Sequence, residues 1–443
     1  VKGVFAMMDM YEKIGEIAAG FENDMVDFAR RLIQTKSISG TEGGVAKLYQ
    51  DEMKKLGYDE VFQDAAGNVI GLIRGDEEGP TIMFNSHMDH VSEGDVANWE
   101  GYDPYGAEID VCEVDNREKT GTELAKCIHG RAASDTKGGG AVQIYSGAII
   151  LKLRELGYPI KGTYMFTGVV LEETSECAGM KYMVDHTFKE RGLDYDALVS
   201  SEATSLNLYL GHRGRTEFLI TVYGRTSHGS APWLGINAIY KAMPLIAKLK
   251  DELYPSLPSD EKLGKSTISL NIIECSPGAL SIVPDKCMLS IDRRTVPGET
   301  DEEVLAQFQK VIDEVAATDP EFKADVKIKS AVEKTYTGME MEEVKNVLPW
   351  RLPEDHPFTE SCAEGLKEIG QDAKLDYWIF ATDMSLNSGR DKKPSIGYSP
   401  MQEQYAHTPY DKVRIDFMME ALSGNAAIFL KSCEAGKGIG QSL

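Results

Sequence analysis

The sequence predicts an α/β protein whose main domain is interrupted by a smaller α+β module. Three observations carry that reading. Short, mostly apolar runs such as Thr81–Asn85 and Thr163–Leu171 have the composition of strands buried in a sheet. Segments with apolar residues at helical spacing lie between them. Beyond residue 210 the pattern changes to about four strand-like and two helix-like segments, the make-up of a small α+β unit, before the first pattern resumes. The expected division is residues 1–210 and 329–443 for the main domain and 211–328 for the insert.

In chain order, Asp9 to Ile33 reads as an amphipathic helix pair ahead of the Gly-rich loop at Gly40–Gly44. A helix from Gly44 to Leu56 stops at Gly57, a typical terminator. Strands follow at Glu60–Asp64, Asn68–Ile73 and Thr81–Asn85. Gly138–Gly140 opens a helix over Ala141–Leu156, and Thr163–Leu171 and Asp196–Ser200 are further strands. In the insert, Thr216–Tyr223 and Ser266–Glu274 read as strands and Asn237–Leu253 as a long helix. Ser281–Thr295 reads as two strands or one bent strand. Thr300–Ala317 is a helix whose acidic start suits its dipole. The helix Ser361–Ile369, the strand Asp376–Phe380 and a loop around His407 return to the main sheet.

The 443 residues, 42% hydrophobic and 27% charged, suit a soluble globular protein with a large core. A formal charge of −24 argues against nucleic acid or an anionic membrane as partner. With no spanning apolar run and no signal-peptide pattern at the start, a cytoplasmic location is expected. The seven cysteines are odd in number and scattered, without a Cys-x-x-Cys pair, so they read as reduced thiols.

Five short stretches hold acids and histidines near the ends of such runs: His87 and Asp89, Asp135, Glu172 and Glu173, Glu202, and His407. Loops at the carboxyl ends of strands are the usual ligand sites of open α/β sheets. Each residue taken alone also has an ordinary role open to it: a surface histidine, a helix N-cap at Asp135, an exposed Glu-Glu turn. Together they suit a pair of zinc ions if one carboxylate bridges. The adjacent acids Glu172 and Glu173 are the sharper signal, because buried acids are costly unless paired or metal-bound. One of the two would bind metal and the other accept a proton.

The combination resembles the di-zinc amidohydrolases and peptidases that include acetylornithine deacetylase, succinyl-diaminopimelate desuccinylase, aminoacylase-1 and carboxypeptidase G. The resemblance runs from about Phe28 to Leu422. Within that family the chain is most similar to the YgeY-type hydrolases, through Gly211–Arg215, Ser227–Pro232 and Asp292–Thr300. The resemblance implies a mixed-sheet zinc-peptidase catalytic domain with an inserted dimerisation, or lid, domain. It implies that His87 and Glu202 hold one zinc, Glu173 and His407 the other, and Asp135 bridges, with cobalt or manganese as substitutes for zinc. Glu172 would be the general base and Asp89 the partner of His87. Arg294 would bind a substrate carboxylate, and His228 would reach the active site of the second subunit of a homodimer.

Three negative charges from Asp135, Glu173 and Glu202 against four from two zinc ions leave the centre slightly positive, so a small anionic substrate is compatible with the acidic chain. The implied reaction is hydrolysis of an amide in a small carboxylate-bearing substrate, an N-acyl amino acid or a short peptide. Deacylase and peptidase stand equal. A zinc aminopeptidase, or a metal-containing scaffold without catalysis, are the competing classes. Ala132 and Ser281 depart from the family pattern, and Ala107–Ile128 is a charge-rich extra segment that reads as a β-hairpin near the site entrance or as a solvated insertion, the insertion slightly preferred.

Overall fold

The computed structural model describes residues 2–175 and 177–443. The strands met first along the chain are β1 (Glu60–Gln63), β2 (Val69–Arg74), β3 (Glu77–His87), β4 (Ile109–Asp115), β5 (Thr122–His129), β6 (Lys161–Val169), β7 (Ala197–Ser200), β8 (Leu208–His212) and β9 (Gly214–Tyr223). The helices around the site are α1 (Lys2–Gln34), α2 (Gly43–Leu56), α3 (Gly138–Glu155) and the short α4 (Glu172–Ser175).

A mixed nine-stranded sheet forms the main domain, in the order β1, β2, β6, β3, β7, Ser395–Gly397, β8, Trp350–Arg351, with Leu375–Trp378 beside β8. At its centre β6, β3 and β7 are mutually parallel, so their carboxyl ends finish together. Their side chains are apolar on both faces because both faces are covered; Ile82, Met83, Phe84, Tyr164, Phe166, Leu198 and Val199 are fully buried. Phe84 stacks on Tyr164 at 4.2 Å. Helices α1, α3 and Ile415–Ala435 pack together against the sheet. A Cβ on Gly140 would stand 2.1 Å from the Tyr49 hydroxyl, so glycine there lets the start of α3 come against that ring.

The insert is a second sheet in the order Thr267–Ser276, Lys286–Thr295, β9, Lys323–Ile328, all antiparallel. Helices Ala238–Lys248 and Asp301–Thr318 cover one face, with Phe218 against Phe308 in the core between them. Thr300 caps the second helix in a reciprocal capping box with Glu303. Asn346–Val347 also pairs with β9, and the chain rejoins the main sheet at Trp350. Trp233, Leu234, Tyr240 and Met243 stand exposed on the helical side, and Ile272 and Ile273 on the edge strand.

Three sequence expectations are corrected. The opening helix pair is one continuous helix, α1. Gly15 and Gly20 would favour a break by about 1 kcal/mol each, but Ile14, Ala18, Met25, Phe28 and Leu32 bury one face along its length and hold it together. Ser281–Thr295 contains one strand, Lys286–Thr295, preceded by a loop. Most consequential, the 107–128 segment is a hairpin. β4 and β5 pair in antiparallel register, and β5 also pairs with Lys412–Arg414. Val114, Ala125 and Cys127 form a small core on one of its faces. Cys112, Cys127, Cys275, Cys287, Cys362 and Cys433 are free thiols. Among the described residues no helix is long and apolar enough to cross a membrane.

Candidate metal centre

The three parallel central strands deliver most of the site. His87 is the last residue of β3, Glu172 and Glu173 begin α4 just beyond β6, and Glu202 follows β7. Leu171 takes a left-handed turn (φ 58°) between β6 and α4, which brings both adjacent acids toward the strand ends instead of opposite faces. Asp135 comes from the loop that leads into α3, and His407 from a left-handed position (φ 59°) in the loop before Lys412–Arg414.

Asp135 sits between the two histidines. Its Oδ1 lies 2.9 Å from His87 Nε2 and its Oδ2 lies 2.9 Å from His407 Nε2. At the same nitrogen of each imidazole stands a glutamate as well: Glu202 Oε1 is 3.7 Å from His87 Nε2, and Glu173 Oε1 is 3.1 Å from His407 Nε2. Zinc–ligand bonds of 2.0–2.1 Å in a tetrahedron put donors roughly 3.3 Å apart, so these spacings fit two ions that share Asp135. Donor atoms of Glu172, His87 and Glu202 all lie within 4.8 Å of one another, so geometry alone would also let Glu172 ligate.

Asp89 does more than attend His87. Its carboxylate stands 3.6 Å from His87 Nδ1, while its backbone carbonyl is the nearer partner at 3.0 Å. The carboxylate instead accepts the Glu172 N–H at 3.1 Å, the Glu173 N–H at 3.0 Å and the Ser39 hydroxyl at 2.7 Å. It thereby fixes the turn that aims both glutamates.

The electrostatics are those of an anionic cluster. Burial, reinforced by Glu202 against the pull of His87, raises the Glu172 carboxyl well above the usual range. Burial and Asp135 do the same to Glu202. Hydrogen bonds to Asp135 and Glu173 push His407 up to about 10. Burial opposes charge on His87, but Asp135 and Asp89 outweigh it and hold the imidazole protonated well above its usual range. A cluster that gathers protons to offset its own charge is one that divalent cations would neutralise, and its donors are oxygen and imidazole nitrogen.

The cluster opens into a cavity of about 330 Å³, walled by Asp135, the three glutamates, His407, Glu403 and Phe380, and from the insert by Arg215 and Arg294. Both arginines reach Asp292, Arg294 at 2.8 Å and Arg215 at 3.2 Å. His228 is exposed and does not line this cavity; its Nδ1 accepts the Ser230 N–H at 3.1 Å. Eight of the nine site residues expected from sequence therefore gather at or beside one cleft, and His228 stands outside it.

Four further buried ionisable groups flank the cleft. Asp383 accepts the Cys177 N–H at 2.9 Å; burial and Asp89 push it up to about 6 against the pull of His87. Glu42 accepts the Gly40 and Leu171 N–H groups, and burial with Asp89 pushes it up to about 7. Burial lowers Lys137 to about 7, and its ammonium donates to the Thr35 carbonyl at 2.7 Å. Asp411 accepts Arg131 Nη1 at 3.0 Å and the Ala132 and Ser134 N–H groups at 2.8 Å each, which braces the loop that carries Asp135. Only Asp383 had a signal in the sequence, an acid soon after the strand Leu375–Trp378.

A mixed sheet thus carries a donor cluster at its strand ends and an inserted α+β module. Residues 210–320 match the peptidase dimerisation domain. The uncharacterised protein YgeY of Escherichia coli strain K12 is 33% identical over 422 residues, spanning 94% of this chain and 96% of its own length. The chain belongs to the M20 peptidase family. The fold is shared with the aminopeptidase PepT of Bacillus cereus at a TM-score of 0.68 and 20% identity, covering 93% of this chain and 98% of that one. It is shared too with the YXEP protein of Bacillus subtilis, described as a dinuclear metal-binding peptidase, at a TM-score of 0.67, 16% identity and 94% and 99% coverage.

Proposed function

We propose that this protein hydrolyses an amide bond in a small carboxylate-bearing substrate, an N-acyl amino acid or a short peptide. The observation that carries the proposal is Asp135 between His87 and His407, each imidazole flanked by its own glutamate. His87 and Glu202 would hold one zinc, His407 and Glu173 the other, with Asp135 shared. Two such ions, when bound, polarise the scissile carbonyl and make water a stronger acid.

The rest belongs to the chain itself. Glu172, buried beside both ligand sets and held by Asp89 through its backbone N–H, accepts a proton from the attacking water at its carboxylate. It then delivers that proton to the leaving nitrogen. Arg294, with Arg215 beside it on the opposite wall, receives the substrate carboxylate in exchange for Asp292. His228, exposed on a module that matches a dimerisation domain and bears an apolar surface, reaches the cleft of a second copy and steadies the developing oxyanion.

Zinc-loaded protein should hydrolyse members of a panel of N-acyl amino acids, N-carbamoyl amino acids and dipeptides. Glu172→Gln should keep its metals and lose about 10² to 10⁴ in kcat. A Glu172→Gln protein that holds both metals and turns over as fast as the parent overturns the mechanism. A parent that turns over nothing on the panel points to a metal-binding protein without this activity.

A further inference from the structure

The β4–β5 hairpin gathers a second set of metal-binding side chains that the cleft does not use. Asp110 and Cys112 lie two residues apart on β4 and so share a face; Cys127 and His129 share a face of β5. The register sets Asp110 opposite Cys127, which puts both pairs on the same side of the hairpin. Donor atoms of Asp110, Cys112 and His129 all lie within 4.8 Å of one another. His129 is buried, with Nε2 2.7 Å from Asp110 Oδ1. The Tyr102 ring stacks on the His129 imidazole at 4.0 Å, and its hydroxyl donates to the other Asp110 oxygen at 2.6 Å. Cys112 and His129 border a cavity of about 190 Å³ that lies apart from the cleft, between the hairpin and the Pro409–Lys412 segment.

One sulfur, one imidazole nitrogen and one carboxylate oxygen make a donor set for zinc or its near neighbours; magnesium and calcium take oxygen ligands. Three protein donors leave the fourth corner of a tetrahedron to water, and the cavity beside Cys112 and His129 offers it room. Tyr102 does what supporting groups around metal sites commonly do, fixing the ring plane and the carboxylate.

We propose that Asp110, Cys112 and His129 form a further site for a zinc-class ion, distinct from the paired centre of the cleft. The ion clamps β4 to β5 at the end from which the chain runs directly into the Asp135 loop. β5 at this level also pairs with Lys412, just beyond the His407 loop, so the clamp stiffens the ground under both cleft residues.

Cobalt separates this site from the cleft, because only a thiolate ligand gives a near-ultraviolet sulfur-to-cobalt charge-transfer band. The cleft donors are all nitrogen and oxygen. Full-length protein stripped with chelator and reloaded with Co²⁺ should show that band and take up about one equivalent more than the cleft alone holds. Cys112→Ser should abolish the band and lose that equivalent, and His129→Ala should lose the equivalent, while both variants keep cleft metal. Absence of the band from the unaltered protein, or its persistence in Cys112→Ser, overturns the proposal and leaves Asp110, His129 and Tyr102 as a packing network. The unaltered protein decides the first point, so a variant that fails to fold does not obscure the result. Failure of the cleft to bind metal would lower the total content and leave the band unchanged.

Discussion

Replacing Asp89 by asparagine tests whether one carboxylate aims both glutamates of the cleft. Asp89 is fully buried and satisfies the N–H groups of Glu172 and Glu173 with different oxygens, Oδ1 at 3.1 Å and Oδ2 at 3.0 Å. An amide accepts on one side only. Whichever way the new side chain turned, its NH₂ would face one of these backbone donors, although the Ser39 hydroxyl could rotate to accept. One buried donor left without a partner costs about 1–3 kcal/mol. Urea unfolding of metal-free protein should therefore show a lower midpoint at unchanged slope, the unfolding free energy falling by that amount.

The same change frees the turn that carries Glu172 and Glu173. Partners that orient metal ligands are worth about 10–100-fold in metal affinity or activity, so Asp89→Asn should lose that much in competition with a chromophoric chelator or in kcat. His87 should keep its orientation, because its Nδ1 is nearer the Asp89 carbonyl, at 3.0 Å, than the carboxylate, at 3.6 Å. A variant that matched the parent in unfolding midpoint, metal affinity and kcat would refute the assignment.

Two other outcomes are expected. In metal-free protein His407 is pushed up to about 10 by its hydrogen bonds to Asp135 and Glu173, so near pH 8 its imidazole carries a proton that a metal must displace; Asp135 and Asp89 shift His87 in the same direction. Zinc loading at that pH should release protons, the His407 proton among them, visible as a binding enthalpy that changes with the ionisation enthalpy of the buffer, and affinity should rise with pH; a buffer-independent enthalpy would contradict this. Mixed dimers of Glu172→Gln and His228→Ala subunits should recover activity that neither parent homodimer has, because one of the two clefts then has both groups intact. Confirmed mixed dimers without recovery would remove His228 from the neighbouring site.

The central strands and the residues at their ends were legible because local sequence and burial agree there. An apolar run too short for a helix, ended by an acid or a histidine, fits a buried strand reaching a site and little else. Arg294 and His228 came from the resemblance, since alternation along Lys286–Thr295 says only that Arg293 and Arg294 face opposite ways. Buried Arg293, paired with Glu299, serves the fold, and Arg294 faces the cavity. What stayed hidden is held by distant backbone. Asp411 binds N–H groups of Ala132 and Ser134, and Glu42 binds that of Leu171. No periodicity or spacing near either acid announces a partner so far along the chain. The hairpin was not the preferred reading of its segment for a related reason: part of its support comes from Lys412–Arg414, far along the sequence.

That support changes how the site is assembled. Asp135 and His407 must stand 2.9 Å apart although most of the chain separates them, and neither loop belongs to the central parallel strands. The hairpin joins them. β5 runs into the Asp135 loop and pairs with Lys412–Arg414, which follows the His407 loop. Asp411 braces the first loop from the second. From the other strand of the hairpin, the Asp115 N–H donates to the Tyr405 hydroxyl at 2.8 Å and its carbonyl accepts from Gln402 at 2.9 Å. The extra segment is thus the splint that sets the shared carboxylate against the last histidine. Loosening it should weaken metal binding without touching a single ligand.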